Sequence, residues 1–140
     1  MKCLASRAIC ALVVLGWIAC SRDRSPRATA DFFVDKYYIE IDPTAALEVA
    51  EGDVADRLKK ERALVAIAQS QGVGQTQVLP RVFYSARAEP TGDGVTRMVY
   101  DLSIDSGGQR FHKEVTLMVA RRADAFRITG WTEHEEAGRH

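Results

Sequence analysis

From Val78 to the C-terminus, apolar and polar side chains alternate with a period of two residues, and this alternation most constrains the fold. Groups of turn-forming residues interrupt it at positions 91–94, 106–109 and 122–125. Alternating segments separated by such turns are typical of antiparallel strands. The second half of the chain therefore predicts four strands that neighbour one another in chain order.

Two of the turns set a strand register that the apolar side chains can check. A two-residue loop at Gly107 and Gly108 pairs apolar positions on one face: Ile104 with Phe111, Tyr100 with Val115, Met98 with Leu117 and Thr96 with Val119. A loop of the same length at Ala123 and Asp124 pairs Val119 with Ile128 and Leu117 with Gly130. Both turns place the apolar residues on the same side of the sheet, as a correct register requires.

The first strand, at residues 81–89, has two faces that could meet the core. One carries Phe83, Ser85 and Arg87, and the other carries Val82, Tyr84, Ala86 and Ala88. We favour the second face, with a three-residue loop leading to the next strand.

The preceding segment has helical periodicity. Thr29 is the predicted N-cap of a first helix that begins at Ala30 and Asp31 and carries a broad aromatic face. Asp42 and Pro43 form the N-cap and first position of a second helix, which Gly52 ends.

Asp53 is the predicted N-cap of a third, long amphipathic helix that extends to about Gln71. Its expected apolar side consists of Val54, Leu58, Leu64, Val65, Ile67 and Ala68. With 140 residues the chain has room for one domain, so we expect an α+β fold of three N-terminal helices packed on a curved four-stranded antiparallel meander.

The N-terminus has the anatomy of a secretory signal peptide. Lys2 and Arg7 precede an apolar run over residues 8–19, and Cys20 follows it. Twelve apolar residues are too few for the ~20 that a membrane-spanning helix needs. Residues 1–19 are therefore the predicted signal peptide and residues 20–28 a polar tether.

The segment Gly16-Trp17-Ile18-Ala19-Cys20 resembles the lipobox of bacterial lipoproteins. The resemblance implies that Cys20 is diacylated and becomes the mature N-terminus, so that the protein is anchored in a membrane of the cell envelope and faces the periplasm. Ser21 after the cysteine favours the outer membrane over the inner one by the same resemblance. Removing residues 1–19 leaves a net charge of −2, which argues against nucleic-acid binding.

Residues 33–47, with the sequence FVDKYYIEIDPTAAL, look like the opening of NTF2-like domains, which have a cystatin-like cone. The resemblance covers residues 29–136, leaves residues 137–140 as a tail, and implies a conical pocket beneath the helices. The family includes ketosteroid isomerase, scytalone dehydratase and SnoaL-type cyclases. This chain lacks the short strand that commonly carries their catalytic aspartate, because Gly52 leads directly into the third helix.

The aromatic residues that the expected cone would enclose are the candidate ligand site. They are Phe33, Tyr37, Tyr38, Tyr84, Tyr100 and Phe111, whereas the predicted register sends Trp131 to the polar face beside Thr116. Such residues form either a packed core or a pocket for a small apolar ligand. Tyr37 and Tyr38 lie where family isomerases place an oxyanion-donating tyrosine, but the sequence assigns them no partner carboxylate.

On the opposite face, the same registers place Asp101 beside Glu114, Glu114 beside Glu133, and His112 near Ser103 and Glu135. Such a cluster could bind a metal, but mixed charges are typical of the solvated side of a sheet, so we expect neither a metal site nor a cofactor.

The expected function is that of a lipid-anchored, non-catalytic binding or assembly domain. Its partners would be the membrane, a small apolar ligand, and either a second copy of the chain or another envelope protein. An isomerase- or dehydratase-like enzyme and a structural envelope lipoprotein are the alternatives that the sequence leaves open.

Overall fold

The computed structural model describes residues 24–72 and 79–136. The predicted signal peptide, Cys20 and the tail at residues 137–140 lie outside the described residues. Within the described residues, no helix has the length and apolar character needed to cross a membrane.

Helices come first in the chain and strands follow, so the α+β class is confirmed. The helical elements are α1 (Pro26–Val34), a π-helical turn (Asp35–Ile39), α2 (Pro43–Ala46), a 3-10 turn (Leu47–Val49) and α3 (Asp53–Ser70). The strands are β1 (Arg81–Pro90), β2 (Val95–Ser106), β3 (Gln109–Arg121) and β4 (Phe126–Glu136). They form one antiparallel sheet in the order β1-β2-β3-β4, which confirms the predicted meander.

Helix α1 begins earlier than predicted. Its N-cap is Ser25, whose Oγ accepts a hydrogen bond from the Ala28 amide at 3.1 Å, and Pro26 occupies the first helical position. Thr29, the predicted cap, is instead buried, and its hydroxyl donates to the Ser25 carbonyl. The helix therefore starts inside the segment that the sequence predicted as tether.

The other two helix starts differ in how well the sequence predicted them. Asp42 caps α2 as expected, with its Oδ1 accepting from the amides of Thr44 and Ala45 at 3.0 Å each. Asp53 was wrong as the cap of α3, because the N-cap position belongs to Gly52. Gly52 has a φ of 59°, which glycine adopts without steric cost.

The expected apolar side of α3 is only partly correct. Val54 and Leu58 are buried in the core, but Leu64, Val65 and Ile67 are 66%, 47% and 54% exposed. At 100° per residue, Leu64 points about 120° and Ile67 about 180° away from Leu58, so neither can share its contacts. Val65 lies on the core side but beyond the packed part of the core.

The β1–β2 and β2–β3 registers agree with the prediction. All four pairs expected from the Gly107–Gly108 loop are present. Across the first turn, the Thr91 amide donates to the Val95 carbonyl, which leaves the expected three-residue loop. Val82, Tyr84 and Ala86 of β1 pack against the core, and Phe83 points to solvent.

The β3–β4 register is correct only near the turn. Val119 pairs with Ile128 as predicted, but a β-bulge between Met118 and Val119 shifts the rest of β4. Leu117 therefore pairs with Trp131 rather than with Gly130, and Trp131 moves from the predicted polar face into the core. A bulge inserts one extra residue in a strand and so reverses which side chains face inward beyond it.

The core lies between the helices and the inner face of the sheet. Its largest fully buried side chains include Tyr100, Phe33, Leu58, Met98, Leu102, Leu117 and Ile128. At the β3–β4 turn, the chain after α2 joins the sheet, where Ala50 bridges to Ile128 and the Glu51 amide donates to the Ile128 carbonyl.

Candidate functional site

A partly open cavity of about 400 Å³ lies beside the core at the β2–β3 end of the sheet. One part of its wall is apolar and consists of Ile41, Pro43, Val65, Pro80 and Ile104. The other part consists of Tyr37, Tyr38, Glu61, Lys113 and Glu133. We refer to this space as the mouth cavity. A concave space with an apolar wall and a few convergent polar groups is the usual form of a small-molecule site.

The π-helical turn positions the two tyrosines of the mouth cavity. Its wider backbone bond, from the Glu40 amide to the Asp35 carbonyl, marks the change from α-helical geometry. Tyr37 and Tyr38 then pack edge to face, with 4.8 Å between ring centroids. Ile41 follows with a φ of 54°, which is unfavourable for a β-branched residue. Such π-turns and strained residues are frequent at functional sites.

The Tyr38 hydroxyl links the core to the mouth cavity. It accepts a hydrogen bond from Trp131 Nε1 at 3.0 Å and donates to Glu133 Oε1 at 2.5 Å. Glu133 lies inside the sheet opposite Val115 because of the bulge. The indole of Trp131 thus has its polar group satisfied although the residue is buried.

Arg57 on α3 connects the two carboxylates of the site. Its Nε donates to Glu61 Oε1 at 3.1 Å, and one terminal nitrogen donates to Glu133 Oε2 at 2.7 Å. The guanidinium also stacks 3.5 Å from the Trp131 ring centroid. Glu61 Oε2 accepts from the Tyr37 hydroxyl at 2.6 Å. Arg57 therefore links α3 to β4, and Glu61 links α3 to the π-helical turn.

Lys113 completes the charged part of the wall. Its Nζ lies 3.4 Å from Glu133 Oε1 and 3.5 Å from Glu135 Oε1. Each lining carboxylate thus has a cation beside it: Arg57, which lies behind the cavity wall, contacts both Glu61 and Glu133, and Lys113 contacts Glu133.

Burial and hydrogen bonds together set the protonation states of the site. Burial, together with the hydrogen bond to Glu133, raises the pKa of Tyr38 well above its usual value. Burial and the hydrogen bond to Glu61 do the same for the pKa of Tyr37. Burial alone would raise the pKa of Glu133, but the hydrogen bonds from Tyr38 and Arg57 outweigh it and lower that pKa. At neutral pH both phenols are therefore protonated donors and Glu133 is an ionised acceptor.

The six predicted pocket residues fall into three groups. Tyr37 and Tyr38 line the mouth cavity. Phe33 and Tyr100 are fully buried core residues, and Tyr100 donates to Asp31 Oδ1 at 2.7 Å. Tyr84 is partly buried against Tyr100 and donates to Asp35, and Phe111 is 50% exposed near the β2–β3 turn, outside the lining of the mouth cavity.

The charged residues of the site were missed by the sequence reasoning. Arg57 and Glu61 are spaced four residues apart on α3, but their alternation with other charges resembled a solvated face. Glu133 was placed on the wrong side of the sheet because the bulge at Met118 was not anticipated. Nothing in the local sequence marked Lys113 as a wall residue.

The outer face of the sheet carries an ion-pair network. Asp101 pairs with Glu114 as predicted, and Arg87 donates to both, at 3.0 and 3.2 Å. Glu114 lies opposite His134 instead of Glu133, and His112 opposite Ser103 and Glu136. Over residues 24–72 and 79–136, no group of three His, Cys, Asp or Glu side chains is arranged to hold a metal ion.

Comparisons with known proteins gave one structural likeness. No protein-family model matches the sequence, and no curated protein matches it. Among solved structures, the chain is similar to a de novo designed β-sheet protein determined by solution NMR. The two share 16% sequence identity and a TM-score of 0.47, and the match covers 85% of this chain and 94% of that one.

Proposed function

We propose that the protein is a lipid-anchored protein of the bacterial cell envelope whose periplasm-facing domain, of NTF2-like architecture, binds a small apolar ligand without catalysing a reaction. The mouth cavity is the observation that carries the binding function. Its volume of about 400 Å³ lies within the usual range of ligand pockets, about 300–1,000 Å³. Helices placed before a four-stranded meander support the NTF2-like architecture, and the leader ending at Cys20 supports the anchor.

The hydrogen bonds of the site favour binding over an isomerase-like reaction. A tyrosine that stabilises an oxyanion needs a free O–H donor. Tyr37 and Tyr38 both use that donor on a carboxylate. A general acid at neutral pH needs a raised carboxyl pKa, whereas the pKa of Glu133 is lowered.

The ligand function is tested with para-trifluoromethyl benzyl alcohol, a neutral aromatic probe followed by fluorine NMR. The full chain is reconstituted in lipid nanodiscs, and empty nanodiscs give the blank. Val65→Trp fills the mouth cavity from α3, so we expect it to abolish the protein-dependent line broadening. Leu64→Trp is the matched control, because the Leu64 side chain, next to Val65 in the chain, points to solvent and is 66% exposed. Equal binding by both variants, or none by the unmodified chain, would contradict the proposal.

The anchor is tested separately by intact mass and membrane fractionation. The expected mass is that of residues 20–140 plus the acyl groups on Cys20. Cys20→Ser should leave the chain unacylated. In a Cys20→Ser variant from which residues 1–19 have also been deleted, the protein should leave the membrane fraction. An unprocessed, unacylated N-terminus in the unmodified protein would refute the anchor.

A further inference from the structure

We infer that the mouth cavity selects a neutral molecule with an apolar body and a hydroxyl or amide N–H group, and that this group donates a hydrogen bond to Glu61. This inference rests on the proposed binding function and deepens it. It follows from which hydrogen-bonding groups around the cavity are already used and which remain available.

The tyrosine hydroxyls cannot recognise a ligand as donors. A phenol has one O–H, and Tyr37 uses it on Glu61 while Tyr38 uses it on Glu133. Tyr38 also accepts from Trp131. A ligand carbonyl or oxyanion would therefore find no free tyrosine donor in this wall.

The carboxylates, in contrast, keep acceptor capacity. A carboxylate offers about four lone-pair sites. Glu61 accepts from Arg57 and Tyr37, so about two sites remain, and its side chain is 31% exposed. Glu133 accepts from Tyr38, Arg57 and Lys113, which leaves about one. The wall thus offers spare acceptors, most of them on Glu61.

The pairing of the two lining carboxylates with cations favours a neutral ligand. Glu61 and Glu133 are neutralised by Arg57 and Lys113, which lie within 3.4 Å of their oxygens. A charged ligand would lose hydration in the cavity without meeting an opposite net charge. The remaining lining residues, Ile41, Pro43, Val65, Pro80 and Ile104, are apolar and suit a hydrocarbon body.

Four probes of nearly equal shape separate these features. They share a para-trifluoromethyl phenyl body and differ in the head group: benzyl alcohol, its methyl ether, benzoate and benzylammonium. With the full chain in nanodiscs, we expect the alcohol to bind about tenfold more tightly than the ether, because a hydrogen bond to a charged acceptor is lost. The benzoate and the ammonium should also bind more weakly than the alcohol. Tighter binding of the ether, the benzoate or the ammonium than of the alcohol would overturn the inferred ligand class.

Two variants and one control variant test the role of Glu61. Glu61→Gln should weaken the alcohol severalfold and leave the ether unchanged, whereas Glu89→Gln on the outer face should change neither. Tyr37→Phe removes a competing donor, so the alcohol should bind at least as tightly as before. A loss of alcohol binding in Tyr37→Phe would instead show recognition by the phenol and overturn the inference.

The outcomes distinguish the two levels of the proposal. If alcohol and ether bind equally and Val65→Trp abolishes both, the cavity binds ligands but the donor requirement is wrong. If none of the four probes binds, the proposed binding function fails and the inference fails with it.

Discussion

At the scale of single residues, Tyr38 has the most interdependent contacts of the site. Its hydroxyl is the hydrogen-bond partner of the buried Trp131 indole and a donor to Glu133. Tyr38→Phe leaves the indole N–H without a partner, and an unsatisfied buried donor costs about 1–3 kcal/mol. We expect a loss of that size in the free energy of unfolding, measured by urea denaturation.

Tyr84→Phe is the matched control for this change. Tyr84 also donates to a carboxylate, Asp35 at 3.0 Å, but it lies in a less buried position, and burial with that bond raises its pKa only to about 12. Its loss should cost less than about 1 kcal/mol, since solvent can replace the partner. Equal costs for the two variants would show that the Trp131 contact is not what makes Tyr38 important.

Glu133 gives the stability of the fold a dependence on acid. The pKa of Glu133 is lower in the folded state than the ordinary glutamate pKa of about 4.3. The ionised side chain therefore stabilises the fold at pH values above about 4.3, and this contribution is lost as the pH falls through the folded-state pKa. Glu133→Gln should therefore be less stable than the unmodified protein at pH 7, by on the order of 1 kcal/mol. The difference should shrink below pH ~4.

Urea titrations at several pH values measure that difference. The control is Glu135→Gln, two residues further along β4, whose side chain is 81% exposed. An exposed pair contributes little, so its stability difference should stay small at every pH. A Glu133→Gln difference that does not change with pH would contradict the assignment.

The residues of the site also show where sequence reasoning ends. Tyr37 and Tyr38 could be predicted as cavity residues because an aromatic pair at the end of an amphipathic helix must be enclosed. Their carboxylate partners could not, since Glu61 and Glu133 are 24 and 95 residues away from them in the chain. Such contacts depend on how α3 and β4 meet, which local periodicity does not encode.

At the scale of elements, the β4 bulge determines which β4 side chains line the mouth cavity. Gly130 sits at this bulge opposite Met118, and a Cβ there would lie 2.9 Å from Met118 Cγ. Gly130→Ala should destabilise the protein by about 1–3 kcal/mol, the usual cost of overpacking. Met118→Ala removes the nearer obstructing atom, Cγ, and leaves only Cβ at 3.1 Å, so the double variant should be more stable than the sum of the single effects predicts.

A double-mutant cycle from urea denaturation measures this coupling. Additive effects would show that Gly130 is required for another reason than contact with Met118. The glycine is the local signal that could have indicated the bulge, because an isolated glycine within a strand often marks one.

For helix α3, the sequence predicted more burial than the structure has. Its apolar residues are frequent enough to suggest a continuous buried stripe, yet only Val54 and Leu58 are buried. The core ends near Arg57 and Glu61, where the mouth cavity begins, so the rest of the helix extends past the packed part of the sheet. Periodicity therefore predicted the helix but not the length over which it is covered.

At the scale of the whole molecule, the order of elements was predictable because it depends on strong local signals. Turns rich in glycine fixed the β2–β3 register, and Asp42 with Pro43 fixed the start of α2. The separation of the two ends of the domain follows from the same predicted meander. It arises because the β2–β3 turn and the β3–β4 turn lie at opposite ends of an antiparallel meander.

This polarity gives the proposed anchor an expected orientation. Arg24 shares a groove with Asp124, Phe126 and Arg127 at the β3–β4 turn, so the chain enters the fold at that end. Lys113 of the mouth cavity lies eight positions before Arg121 on β3, which is about 27 Å of strand. Cys20 is four residues before Arg24, a span of at most ~14 Å. The anchored domain should therefore hold the β3–β4 turn near the bilayer and present the mouth cavity to the aqueous side.

Two single-cysteine variants test this orientation in nanodiscs. Asp124→Cys and Gln109→Cys place an exposed thiol at the β3–β4 and β2–β3 turns. Under the proposed anchor, acylation would occupy the sulfur of Cys20, and Cys3 and Cys10 would be removed with residues 1–19. Each thiol carries a fluorophore, and nitroxide-labelled lipids quench it. We expect severalfold stronger quenching at position 124 than at position 109, because short-range quenching falls steeply with distance and the length of β3, about 40 Å, separates the two turns. Equal quenching would show a domain that tumbles freely or lies on its side, and stronger quenching at position 109 would place the mouth cavity against the membrane.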